Sequence, residues 1–318
     1  MSPPLDWLSR LLEITPVRGQ LDLRCRYGAP WRIDQSASAA GEIPYHVVLS
    51  GSALLEDPEG GAAQPLAAGD ILLLANGEAH ALHDGSGVRP FPARERTAAN
   101  LVFSENEGAG DRLDMLCGRF VFTTVHARLL RGYLPRRLVV RASDLDGAAA
   151  KAESGADLAG LMALMRKESG VDSLGGRAML DALSTALFAL TLRFASESAE
   201  APAGLLALAG YPRLAPALEA MFHDPGHAWT LPSLASLCNM SRATFVRLFQ
   251  EKLGRSASDL LTDIRMTMAS NELRKPSAST GAVADMVGYQ SEAAFQRAFK
   301  LHIGVTPARW RRMTDLET

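Results

Sequence analysis

The feature that most constrains this chain is a duplication inside its last hundred residues. Residues 234–254 read LASLCNMSRATFVRLFQEKLG, and residues 283–304 read VADMVGYQSEAAFQRAFKLHIG. Leu234, Ala235, Leu237 and Cys238 recur 49 positions later as Val283, Ala284, Met286 and Val287. Beyond the turn the offset is 50, pairing Phe245, Arg247, Phe249, Leu253 and Gly254 with Phe295, Arg297, Phe299, Ile303 and Gly304. The second copy therefore carries one extra residue in its turn.

Each copy reads as a short helix, a tight turn and a longer helix. Gly254 and Gly304 stand where glycine ends a helix by entering the left-handed region. Asn239 and Gly288 stand at the reversals, and these types tolerate positive φ best. Ser241 and Ser291 are placed to cap the second helices. This is helix-turn-helix grammar, in which the second helix enters the major groove of DNA. Between the copies, residues 257–274 form a helix-compatible run before Pro276. Roughly seventeen helical residues span about 25 Å. A rod of that length suits two reading helices entering successive major-groove turns about 34 Å apart.

Helical periodicity assigns the faces. In the first copy Phe245 and Phe249 turn inward, and Ala243, Val246, Arg247 and Gln250 face away. The second copy presents Ala293, Gln296, Arg297 and Lys300. Arg247 and Arg297 are the expected base readers, because a guanidinium can bond guanine O6 and N7 together. Ala243, Val246 and Ala293 suit thymine methyls, and Gln296 suits adenine. Ser241, Arg242, Ser291 and Glu292 open the two helices and complete the expected DNA-facing set. Arg242, Arg255, Lys300, Arg309, Arg311 and Arg312 are expected on phosphates, which fix register without reading sequence. A lone Arg on a helix is ordinarily a solvated charge; two at matched positions of a duplicated motif point to a shared ligand.

The formal net charge of −2 conceals an asymmetry. Residues 211–318 hold thirteen Lys and Arg against ten Asp and Glu, and the remainder is acidic. The small surplus matters only if the basic side chains share a face. No stretch of about eighteen apolar residues is evident, and the first residues lack a basic flank with an apolar leader core, so a cytoplasmic protein with no membrane association is expected. Three cysteines, Cys25, Cys117 and Cys238, are too few and scattered for a disulfide framework.

The first third alternates apolar and polar residues between turn signals: YHVVLS at 45–50, residues 53–56, DILLL at 70–74, then 100–103 and RFVFTT at 119–124. Short strands so spaced predict a small barrel or sandwich. Past about Arg128 the period becomes helical, and residues 156–168 and 176–194 are expected as helices. Leu180, Leu183, Leu187, Leu190 and Phe194 form one stripe, either core or a subunit interface. Residues 195–210, rich in small residues and Pro, are expected to be a linker.

The C-terminal motifs resemble those of the AraC/XylS family of transcription regulators. The resemblance runs over residues 214–312 and rests on LASLCNMSRATFVRLF, GRSASDLLTDIRM and VGYQSEAAFQRAFKLHIGVTPARWRR in order. Asn239 departs from the usual turn glycine, and Glu272 holds a normally apolar place. Gly69, Gly77 and His80 in GDILLLANGEAH match the second metal motif of cupin barrels, with Ala75 in place of Pro and Asp84 in place of Asn. The first cupin motif's His pair and Glu are absent, Pro44 standing where that Glu would. Residues 19–124 accordingly resemble the cupin-type sensor of one subclass of these regulators, which includes members responsive to reactive chlorine.

The resemblance implies a multidomain α+β protein. Residues 1–194 would form a cupin-like β-barrel with flanking helices, 195–210 a linker, and 211–318 an all-α domain of two helix-turn-helix units joined by a long helix. It would be a sequence-specific DNA-binding regulator, not an enzyme, with no catalytic residues assigned, whose first domain senses a small molecule or oxidant. Double-stranded DNA, RNA polymerase, that effector and a second copy of the chain are the partners implied. His46, His80 and His83 are the candidate ligands for a divalent metal such as zinc, helped by Cys25 or Cys117, or else are three satisfied barrel histidines. Cys25 and Cys117 are the candidate redox pair, or two ordinary buried cysteines; Arg24 and Arg26 flank Cys25 and would favour its thiolate if they reached the sulfur. The rival reading is a metal-dependent cupin enzyme fused to a DNA-binding module.

Overall fold

The computed structural model describes residues 5–98, 100–141, 149–197, 201 and 204–314. Its contacts divide into two compact units. One comprises Val17–Phe122 with Pro135–Ala199; the other comprises Met1–Pro16, Thr123–Leu134 and Glu200–Thr318.

The first unit is a cupin-like pair of sheets. Its strands are β1 (Arg18–Gly28), β2 (Arg32–Gln35), β3 (Glu42–Ser50), β4 (Ser52–Leu55), β5 (Gln64–Ala67), β6 (Asp70–Leu73), β7 (His80–His83), β8 (Arg94–Thr97), β9 (Val102–Glu105), β10 (Arg112–Val121) and β11 (Leu138–Arg141). One sheet runs β11-β6-β3-β10-β1-β9-β8 and the other β2-β7-β4-β5. All pairings are antiparallel except that of β1 with β9. Cys25, Tyr27, Trp31, Val48, Leu55, Leu72, Leu82, Met115 and Cys117 cluster in the interior. Each such side chain contributes about 1.5–3 kcal/mol by leaving water.

Two helices cover this unit, α3 (Ala149–Glu168) and α4 (Gly176–Ser196), numbered after α1 (Trp7–Ile14) and α2 (Ala127–Tyr133) of the other unit. Leu180, Leu187 and Phe194 of the α4 stripe are buried, while Leu183 and Leu190 are half-buried. That stripe is core. The approach to β1 is close: a Cβ on Gly19 would lie 2.3 Å from the Ser184 backbone, and Gly19 N donates to Thr185 Oγ1 at 2.8 Å. By length and composition α4 could cross a membrane, a property the sequence reading did not register; its buried face here packs on protein.

The second unit is helical. It holds α1, a 3₁₀ turn (Thr124–His126) leading into α2, then α5 (Leu205–Ala209), α6 (Ala215–His223), α7 (Leu231–Leu237), α8 (Arg242–Leu253), α9 (Ala257–Glu272), α10 (Thr280–Met286), α11 (Glu292–Ile303) and α12 (Pro307–Thr314). The expected linker differs from what is observed: α4 continues to Ser196, and residues 205–209 form α5 with Leu205, Leu206 and Leu208 buried. Three leucines in five residues bury too much apolar surface to remain a solvated tether. Residues 198–200 and 202–203 of that stretch lie outside the described residues. The expected boundary also shifts, because 5–16 and 123–134 pack with the C-terminal helices. The strand β11 likewise interrupts the helical region expected after Arg128, its alternating Leu138 and Val140 being buried beside β6.

Candidate nucleic-acid interface and barrel core

The two reading motifs are built alike. Ser241 Oγ accepts from Thr244 N at 3.2 Å and Ser291 Oγ from Ala294 N at 3.2 Å, capping α8 and α11. Asn239 has φ 52° and Gly288 φ 79°, and Gly254 and Gly304 end their helices at φ 78° and 89°. Phe245, Phe249, Phe295 and Phe299 are fully buried, with ring centroids 5.3 and 5.6 Å apart within each pair. Because these rings fix the inward face, the opposite face is fixed too.

That face is exposed in both copies. Ser241, Arg242, Ala243, Val246, Arg247 and Gln250 are solvent-accessible, as are Ser291, Glu292, Ala293, Gln296, Arg297 and Lys300. The stripes correspond position for position at the offset of 50. They differ in charge: Arg242 is replaced by Glu292, and Gln250 by Lys300. Arg247 reaches Glu251 at 3.4 Å, a solvated pair with little hold on it. Gln296 Nε2 donates to Glu292 Oε1 at 2.8 Å.

The expected phosphate contacts divide. Arg242, Lys300, Arg309 and Arg312 are exposed. Arg311 donates to the Ala278 carbonyl and braces the entry to α10. Arg255 lies 5.0 Å from the Tyr133 ring and 3.8 Å from Asp263. Asp263, buried on α9, accepts from the Tyr133 hydroxyl and lies 3.0 Å from His302 Nε2. Burial pushes the Asp263 carboxyl up, but the bonds from His302 and Tyr133 outweigh it and hold it below the usual carboxylate range. Asn271 of α9 donates to the Ile14 carbonyl at 2.7 Å, and its Oδ1 lies 2.8 Å from His126 Nε2. Residues from before β1 and from between β10 and β11 thus grip the rod between the two motifs, a role that no sequence motif announced.

In the barrel, Cys25, Cys117, His46 and His80 form a buried chain. Cys25 Sγ lies 3.7 Å from Cys117 Sγ, which lies 3.2 Å from His46 Nδ1; His46 Nε2 lies 2.8 Å from His80 Nε2, and His80 Nδ1 3.1 Å from the Glu78 carbonyl. One proton arrangement satisfies every link. His80 Nδ1–H donates to Glu78, so His80 Nε2 accepts from His46 Nε2–H, and His46 Nδ1 accepts from the Cys117 thiol. All four groups are neutral in it. Burial first, and then the neighbouring His80, push His46 down to about 3. The bond to Cys25 and burial raise the Cys117 thiol well above its ordinary value. His80 also lines a cavity of about 550 Å³ with Asp34, Gln35, Glu56, Asp57 and Ala81.

Two expectations are corrected here. His83 does not join His46 and His80: three residues along β7 from His80, it points to the other face, where its Nδ1 accepts from Gly85 N at 3.0 Å. Among the described residues no group of three or more His, Cys, Asp or Glu is arranged to hold a metal ion, the four side chains forming a line instead of a shell. Arg24 and Arg26, for their part, are engaged elsewhere than at Cys25. Arg24 is committed to Asp114 through bonds of 2.7 and 2.6 Å, and Arg26 stacks on Phe103 at 5.0 Å.

Comparison with known proteins adds the following. A family profile described as "Cupin" matches residues 6–197, and one described as "Helix-turn-helix domain" matches residues 234–313. An uncharacterized HTH-type transcriptional regulator of Haemophilus influenzae is 29% identical over 313 residues, covering 98% of this chain and 100% of its own. The RCS-specific HTH-type transcriptional activator RclR of Escherichia coli is 28% identical over 310 residues, covering 96% and 97%. Among solved structures, the DNA-binding domain of AdpA in complex with a target DNA is 27% identical, covering 32% of this chain and 95% of its own, with a TM-score of 0.30.

Proposed function

Because this chain belongs to the cupin-bearing AraC-type transcription regulators, we propose that it grips one DNA duplex with α8 and α11 together and is controlled through its cupin unit. The observation that carries this reading is the matched pair of exposed stripes, which puts Arg247 and Arg297 at equivalent places on two similarly built helices. The 16 residues of α9 span about 24 Å as a helix, a rod suited to successive groove turns.

Arg247 and Arg297 read guanine, Ala243, Val246 and Ala293 meet thymine methyls, and Gln296 reads adenine. Arg242, Lys300, Arg309 and Arg312 hold phosphates. The protein acts in the cytoplasm as a homodimer and engages RNA polymerase. The signal enters at Cys25 and Cys117, whose sulfurs 3.7 Å apart suit a two-electron oxidant that joins them with loss of both thiol protons. A relative described as RCS-specific supports that choice of signal.

Genome-wide capture of fragments by the purified chain tests the reading. A recurring site with two half-elements about one helical turn apart is the expected result. Capture without any recurring sequence would end it. For the sensor, treatment with hypochlorous acid should remove two hydrogens from the intact mass, and Cys117→Ser should prevent that loss.

A further inference from the structure

The helical unit contains a cavity of its own. It measures about 330 Å³ and is lined by Thr124, Val125, Arg128, His302, Ile303, Val305, Trp310 and Met313. Its walls are the end of α11, the loop into α12, α12 itself and the segment that opens α2. Val125, Ile303, Val305 and Trp310 are only half-buried there, and Met313 is exposed. Apolar surface left open inside a concavity costs free energy that an apolar ligand would recover.

One end of the cavity is cationic. Arg128 Nη1 donates to His302 Nδ1 at 3.0 Å, and His302 offers its other nitrogen to Asp263 at 3.0 Å. Arg128 is thus bonded to an imidazole nitrogen, and among the described residues no ion pair within 4.0 Å joins it to a carboxylate, Asp263 feeling its charge only from farther away. Trp310 is held as the floor by its Nε1–H, which donates to the Ser270 carbonyl at 2.9 Å.

We propose that this cavity is a ligand site for a compact apolar organic acid, its body against Trp310, Ile303 and Val305 and its carboxylate on the Arg128 guanidinium. A guanidinium favours a carboxylate over an alcohol and repels an ammonium. A volume near the lower end of ligand pockets, about 300–1,000 Å³, favours a single-ring body over a long chain. The occupant would join the end of the second reading motif to the segment preceding α2.

Calorimetric titration of the full chain with 4-phenylbutanoate, 4-phenylbutanol and 4-phenylbutylammonium tests it, since the three differ only at the head group. The acid should bind at least tenfold tighter than the alcohol, and the ammonium should not bind. Arg128→Gln, at an exposed position, should erase the preference of acid over alcohol. Val125→Trp should fill the cavity and abolish binding of both, with a melting curve confirming that the variant is folded. No binding by the acid, equal binding of acid and alcohol, or acid binding that survives Arg128→Gln unchanged would each overturn the proposal.

Discussion

Arg297 and Arg312 are both exposed cations on the helical unit, yet the proposed function gives them different work. On the proposed reading, Arg297→Ala should relax selectivity at one base position, where a bidentate contact is worth about 1–3 kcal/mol. Arg312→Ala should weaken binding to captured and random duplexes by the same factor, with a shallower salt dependence. Equal losses on both duplexes for Arg297→Ala would contradict its placement. Arg311 is unsuited to this comparison, because its bond to Ala278 makes its loss a structural one. In the barrel, His46 carries a pH signature. Its folded value near 3 lies below the ordinary 6.5, so the unfolded chain takes up the proton first. Its contribution to stability is complete above about pH 6.5 and is lost as pH falls from there toward 3. Denaturant midpoints measured from pH 7 to pH 5 should decline, and His46→Asn should flatten the decline.

At the scale of elements, the two turns are alike in path but not in tolerance. Asn239 and Gly288 both hold positive φ. Asn239→Ala places an ordinary side chain in the left-handed region, at a cost of about 1–2 kcal/mol. Gly288→Ala meets that cost and a second one, since its Cβ would lie 2.3 Å from the Gly226 carbonyl oxygen. Thermal melts should therefore rank Gly288→Ala well below Asn239→Ala. Equal melting temperatures would show that the approach of Gly226 relaxes freely. The repeat made these turns legible, because two copies of one grammar constrain each other: capping serines, closing glycines and inward phenylalanines all stood at the expected places. Strands β2, β5, β7 and β8 were not anticipated, since short runs such as RERT at 94–97 carry no periodic signal; β1 was read as a strand only around Cys25 and α1 not at all, although LDLRCRY at 21–27 alternates and WLSRLLEI at 7–14 is amphipathic.

At the scale of the molecule, the helical unit is not a continuous stretch of chain. Ile14, His126 and Tyr133 all bond to α9, through Asn271 or Asp263. A fragment of residues 204–318 lacks all three and exposes the apolar faces of α6 and α9 that α1 and α2 cover. It should unfold several degrees below the helical unit of the full chain, as followed by hydrogen exchange at α9 amides. Equal protection in the two would show those segments to be passengers. What the sequence by itself determined was whatever local rules repeat: the two reading motifs, their exposed Arg247 and Arg297, and a strand-rich first domain with a partial cupin motif. Only the tertiary structure decided that Cys25, Cys117, His46 and His80 meet in one line while His83 turns away. It alone tied Arg24 to Asp114, and it alone brought residues 5–16 and 124–134 onto α9. Those are contacts between residues far apart along the chain, and no period or spacing encodes which distant side chains a folded core will bring within bonding distance.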